Sequence, residues 1–102
     1  MKFGLDDDTI QKINSVFRKF PEIEQVLIYG SRAKGNFREG SDIDLTLVGE
    51  KIPDEIQSRL FWEIDDLNTP YLFDISILKN LRSTPLEDHI QRVGQIFFKK
   101  DI

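Results

Sequence analysis

Tyr29–Leu45 reads YGSRAKGNFREGSDIDL, a polar segment held between two apolar runs. It opens with Gly30-Ser31, carries three cations in Arg32, Lys34 and Arg38, and closes on Asp42 and Asp44, one residue apart. Nitrogen donors at one end and paired carboxylates at the other suit a metal-bound polyphosphate. The same residues would also make an ordinary solvated loop, so the flanking sequence carries the choice.

Just upstream, Val26-Leu27-Ile28-Tyr29 is a short, continuously apolar run ended by Gly30, the pattern of a buried central strand. Ser31 is placed to cap a short helix through Ala33 and Lys34 that Gly35 stops, and Asn36 to Gly40 reads as loop. Asp42 to Val48 alternates, with Ile43, Leu45 and Leu47 on one face and Asp42, Asp44 and Thr46 on the other. That is a strand. Tyr71 to Leu78 alternates in the same way, with Phe73, Ile75 and Ile77 opposite Leu72, Asp74 and Ser76.

Helical spacing fills the remainder. Asp8-Thr9 offers a cap for a first helix bearing Ile10, Ile13, Val16, Phe17 and Phe20, which Pro21 ends. Pro53 suits the first turn of another, with Ile56, Leu60, Phe61, Ile64 and Leu67 on its apolar stripe until Asn68-Thr69-Pro70. In that helix, core packing is the expectation for Phe61 and Trp62. A last helix covers Pro85 to Val93, and Gln95 to Phe98 is an apolar tail, either exposed or a final strand. The order is α-β-α-β-α-β-α. We expect residues 1–102 to form one small α/β (α+β) domain, a mixed three-stranded sheet flanked by helices.

If the two alternating strands are neighbours, their apolar faces must join against the helices, which puts Asp74 on the face of Asp42 and Asp44. Adjacent strands lie about 4.8 Å apart, and Asp42 and Asp44 about 6.5 to 7 Å at Cα, so the three carboxylates converge. Packed together they repel, and one should resist ionising unless a cation neutralises them. Two magnesium ions about 3.5 to 4 Å apart would do so and would clamp both oxygens of a phosphoryl displacement. The plain alternative is a solvated strand start at Asp42 and Asp44 with Asp74 unrelated.

Composition narrows the classes. With 102 residues and a net charge of −4, the chain lacks the clustered Lys and Arg that bind nucleic acid by counterion release. There is no cysteine and only one histidine, His89, so a thiolate or multi-histidine zinc site is out and any metal would be hard and oxygen-ligated. Absence of cysteine fits a reducing cytoplasm, and no apolar run approaches the roughly 20 residues of a membrane span. His89 reads as a surface or structural residue. Two other motifs fail on spacing. Gly30 and Gly35 bracket four residues as in a P-loop, but Asn36-Phe37 stands where Lys-Ser/Thr is needed. Asp42-Ile43-Asp44-Leu45-Thr46 looks like a phosphatase DxDxT, but its aspartates precede the apolar strand instead of following it.

Gly30-Ser31, ten residues, then Asp42-Ile43-Asp44 resembles the signature of the DNA polymerase β-type nucleotidyltransferase superfamily. Length and layout are similar to its minimal nucleotidyltransferases, the small partners of HEPN toxins in bacterial toxin–antitoxin pairs. The resemblance implies a nucleotidyltransferase in which Asp42 and Asp44 bind two Mg2+ ions and the triphosphate of ATP. Asp74 would be the third metal ligand and assist deprotonation of the acceptor. Gly30 and Ser31 would hold phosphates, and Arg32 and Ser41 are further nucleotide contacts. The expected reaction is transfer of AMP to a hydroxyl, a tyrosine of a HEPN toxin. Two rivals stand beside it: an antitoxin that neutralises its partner by contact, and transfer to a small molecule, for which no second domain supplies a pocket.

Overall fold

The structure is a computed structural model that describes residues 1–101. Helix α1 spans Asp7–Phe17 and buries Ile13, Val16 and Phe17. Its cap is Asp6, not Asp8. The Asp6 carboxylate accepts the Thr9 N–H at 2.7 Å, which leaves Asp7 and Asp8 in the first turn, where the helix dipole favours acids. Strand β1 is Gln25–Tyr29, helix α2 Gly30–Lys34, strand β2 Ile43–Val48, helix α3 Asp54–Asp65 and strand β3 Phe73–Ile77. A single 3-10 turn, Leu78–Leu81, leads to helix α4, Pro85–Val93, and the chain returns as strand β4, Gln95–Lys99.

The sheet therefore has four strands where the sequence led us to expect three, in the order β3-β2-β1-β4. β1 runs antiparallel to both β2 and β4. β2 and β3 are parallel, and α3 supplies the crossover that parallel strands need. The tail was ambiguous because Phe97 and Phe98 are consecutive apolar residues, which period-2 alternation would send to opposite faces. The pairing slips between Val26, opposite Phe98, and Leu27, opposite Ile96. Phe97 is the extra residue of that bulge, and both rings end up buried. They pack on Phe17, at centroid distances of 6.3 and 5.5 Å.

One face of the sheet carries the main core. Ile43, Leu45 and Leu47 of β2, Val26 and Ile28 of β1, and Ile75 and Ile77 of β3 meet Ile13 and Phe17 of α1 and Ile56, Leu60 and Ile64 of α3. Phe61 and Trp62 are not part of it. Leu60 and Ile64 already fill the buried stripe, so their neighbours on the helix are turned outward, Trp62 with 65% of its surface exposed. α2 and α4 pack on each other and on β1, and Gln95 donates to the Ala33 carbonyl at 2.7 Å. Among the described residues no helix is long and apolar enough to cross a membrane.

Candidate active site

β1 ends where β2 and β3 begin, and the candidate residues collect at that end of the sheet. Register pairs Asp44 with Asp74 on β3 and with Tyr29 on β1. All three alternate with core residues on their strands, so they face away from α1 and α3. Asp42 precedes β2 by one residue and is exposed, as is Asp74; Asp44 between them is half-buried. Burial, then the charges of Asp74 and Asp42, raise the Asp44 carboxyl above the ordinary carboxylate range, and His89 on α4 partly offsets this. Burial also raises the Tyr29 phenol, with the Asp74 and Asp44 charges adding to it and Ser76 opposing.

Gly30 shows why this turn needs glycine. Its φ of +73° is a left-handed conformation, and a Cβ there would collide with the Asp44 carboxylate. The backbone of the β1–α2 turn thus lies directly against the central acid. α2 begins at Gly30, with Tyr29 in the cap position and no side-chain cap bond, so Ser31 is a residue of the first turn and not its cap. Gly35 ends the helix as expected, with φ +85°.

The other two expected nucleotide contacts sit differently. Arg32 is buried, 3% exposed. It donates from Nη1 to the Phe3 carbonyl at 2.8 Å and from Nε to the Ser41 carbonyl at 3.1 Å. The rings of Phe37 and Tyr71 lie each 5.1 Å from its guanidinium carbon. Two of its N–H groups are thus bonded to backbone carbonyls, one of them that of Ser41 just ahead of Asp42. Ser41 accepts the Arg38 N–H through its hydroxyl at 2.9 Å and returns its own N–H to the Arg38 carbonyl at 3.0 Å, closing the turn before Asp42.

Two neighbours of the acids were not assigned to the site from the sequence, where Tyr29 was read only as the end of a strand and His89 as a surface or structural residue. Tyr29 is visible there once β1 is paired, because it falls on the face of Asp44. His89 gave no such signal: its ring meets Tyr29 edge-on at 6.1 Å only because α4 folds back over β1.

The donor set is hard and anionic, which suits a divalent cation by charge. Among the described residues no three carboxylate, histidine or cysteine side chains are close enough to cage an ion unaided. Magnesium seldom asks for such a cage. It takes one or two carboxylates and completes its shell with water and substrate phosphates, so the neighbours Asp44 and Asp74, with Asp42 at the mouth, fit that demand.

The family model for "Polymerase beta, Nucleotidyltransferase" matches residues 11–102. The chain belongs to this family. Its fold is shared with solved toxin–antitoxin structures. One, determined with AMP-PNP, superposes at a TM-score of 0.71 and 19% identity over 90% of this chain and 74% of that one. A second, the toxin–antitoxin MntA-HepT, gives 0.67 at 16% over 93% and 74%. A third is the tri-AMPylated Shewanella oneidensis HEPN toxin in complex with MNT antitoxin, at 0.68 and 16% over 94% and 74%. No curated protein matches. As a polymerase beta-type nucleotidyltransferase, the protein takes a nucleotide as substrate.

Proposed function

We propose that this nucleotidyltransferase moves AMP from ATP to a tyrosine hydroxyl of a HEPN-domain toxin and so acts as its antitoxin. The observation that carries the reading is the register of β2 on β3, which sets Asp44 beside Asp74 with the Gly30 turn against Asp44. The toxin–antitoxin structures of the same fold, one holding AMP-PNP and one an AMPylated toxin, support the choice of nucleotide and acceptor.

In the reaction, a bond forms between the acceptor oxygen and the α-phosphorus, the bond from that phosphorus to the bridging oxygen breaks, and pyrophosphate leaves. Asp74 receives the acceptor proton. The N–H groups of Gly30 and Ser31, in the first turn of α2 where the helix itself offers them no acceptor, hold the phosphates. Asp42, Asp44 and Asp74 would hold two Mg2+ ions with the triphosphate. Such ions, when bound, offset charge developing on the phosphoryl oxygens. Arg32 and the Ser41 turn keep the Asp42 segment in place. The cytoplasm, where ATP and a toxin meet, is the place for this reaction.

The test is to mix the protein, Mg2+ and ATP with its HEPN partner and weigh the partner. A gain of one AMP unit or a small multiple is expected, lost in Asp44→Ala. If Asp44→Ala silences the toxin without modifying it, neutralisation by contact is the function instead.

A further inference from the structure

Three hydroxyls of the strands share the face of Asp44 and Asp74. Thr46, in register with Ser76, is fully buried, and its Oγ1 has no hydrogen-bond partner among the described residues. Ser76 turns its hydroxyl to the Leu45 carbonyl at 3.5 Å. The third is Tyr29, the register partner of Asp44. Its phenol stands beside Ser76, two strands away, and feels the charges of Asp74 and Asp44. The ring therefore lies across β2, behind Asp44 and over Thr46. It is held there: Tyr29 is 5% exposed, and His89 of α4 meets it edge-on at 6.1 Å.

Resting on the cation site proposed above, we infer that Tyr29 is a positioning residue for the ion: its phenol oxygen accepts a hydrogen bond from water bound to the divalent cation that Asp44 and Asp74 hold. A phenol has one O–H and an oxygen that also accepts. With the Ser76 hydrogen turned to Leu45, the Ser76 oxygen is open to the Tyr29 O–H. The lone pairs of the phenol are left on a face whose nearest groups, the ionised acids, can only accept. A donor is missing between them. Water on a divalent cation supplies it, because magnesium keeps several waters and each presents its hydrogens to acceptors around the ion. Thr46 is sealed too deep for this task, and Ser76 has its hydrogen turned inward, so the phenol alone of the three hydroxyls faces the ion.

The probe is Mn2+, titrated into the protein without nucleotide and followed by the paramagnetic resonance of the free ion. Tyr29→Phe keeps the ring and removes only the oxygen. It should weaken Mn2+ binding about tenfold, or about 1.4 kcal/mol. Ser76→Ala, which leaves the phenol without its anchor, should weaken it less. The two substitutions together should lose no more than Tyr29→Phe alone, as expected when Ser76 acts through the phenol. The number of waters on bound Mn2+, counted by pulsed resonance in deuterated water, should be the same in Tyr29→Phe and wild type. Equal Mn2+ affinity in the two, whatever their metal-free melting temperatures, would make Tyr29 structural only and overturn the inference. So would one additional bound water in Tyr29→Phe, which would make the phenol a direct ligand. A wild-type protein that binds no Mn2+ would strike the cation site itself and the inference with it. Transfer of AMP is not read, so its failure with the HEPN partner would leave the Tyr29 result standing.

Discussion

Asp44 is held in a setting that works against its own charge. Because its carboxyl is raised in the fold, its ionisation is harder there than in the unfolded chain. Its favourable share of stability is complete below the ordinary carboxylate range and is lost as pH climbs through the raised value. Asp44→Asn should therefore abolish the proposed AMP transfer yet unfold at slightly higher urea than wild type at pH 7. The gain should be roughly a few tenths of a kcal/mol, since solvent screens a half-exposed group, and it should shrink at pH 3; urea melts at the two pH values check both. Arg32 is the opposite case, a buried cation whose partners are two carbonyls and two ring faces and no acid. Lysine keeps the charge but cannot repeat the planar, forked geometry. Arg32→Lys should cost about 2 kcal/mol by thermal or chemical melting. Arg32 and Ser41 look alike from the sequence, cation and hydroxyl near a candidate phosphate site. What each bonds to depends on long-range neighbours such as Phe3 and Tyr71, which spacing does not reveal.

Elements were more legible than their edges. β2 and β3 could be read because each sets apolar residues on one face and polar ones on the other, so alternation marks the core side and fixes where Asp44 and Asp74 must point, even though Thr46 on the polar face of β2 is buried as well. α3 was readable as a helix, but its stripe was drawn too wide, since one helix face has room for Leu60 and Ile64 and not also for Phe61. β4 was the hardest, because a bulge hides the alternation that identifies a strand. Its contribution can be measured. Phe98 is 6% exposed and packs on Phe17, so Phe98→Ala should remove about 3 to 5 kcal/mol. A domain of this size has only about 5 to 15 kcal/mol in total. A denaturant midpoint near the edge of stability is expected, with β4 losing hydrogen-exchange protection before β2.

Taken whole, the molecule gathers like charges at one pole of an already acidic chain. A cation that binds only the folded form must stabilise it. At ten times its dissociation constant, Mg2+ should add about 1.4 kcal/mol, which is several degrees in melting temperature for about 100 residues. Differential scanning fluorimetry with and without Mg2+ reads this without any substrate, and Asp44→Asn should respond far less. The Arg32 knot has a practical consequence at the same scale. Since Phe3 supplies one of its two carbonyls, whatever is grafted onto the amino end pulls on the turn ahead of Asp42. The carboxyl end leaves β4 at the far pole, where Lys100 bonds to Glu24. Whatever follows that segment along the backbone is held at the pole opposite Asp42, Asp44 and Asp74.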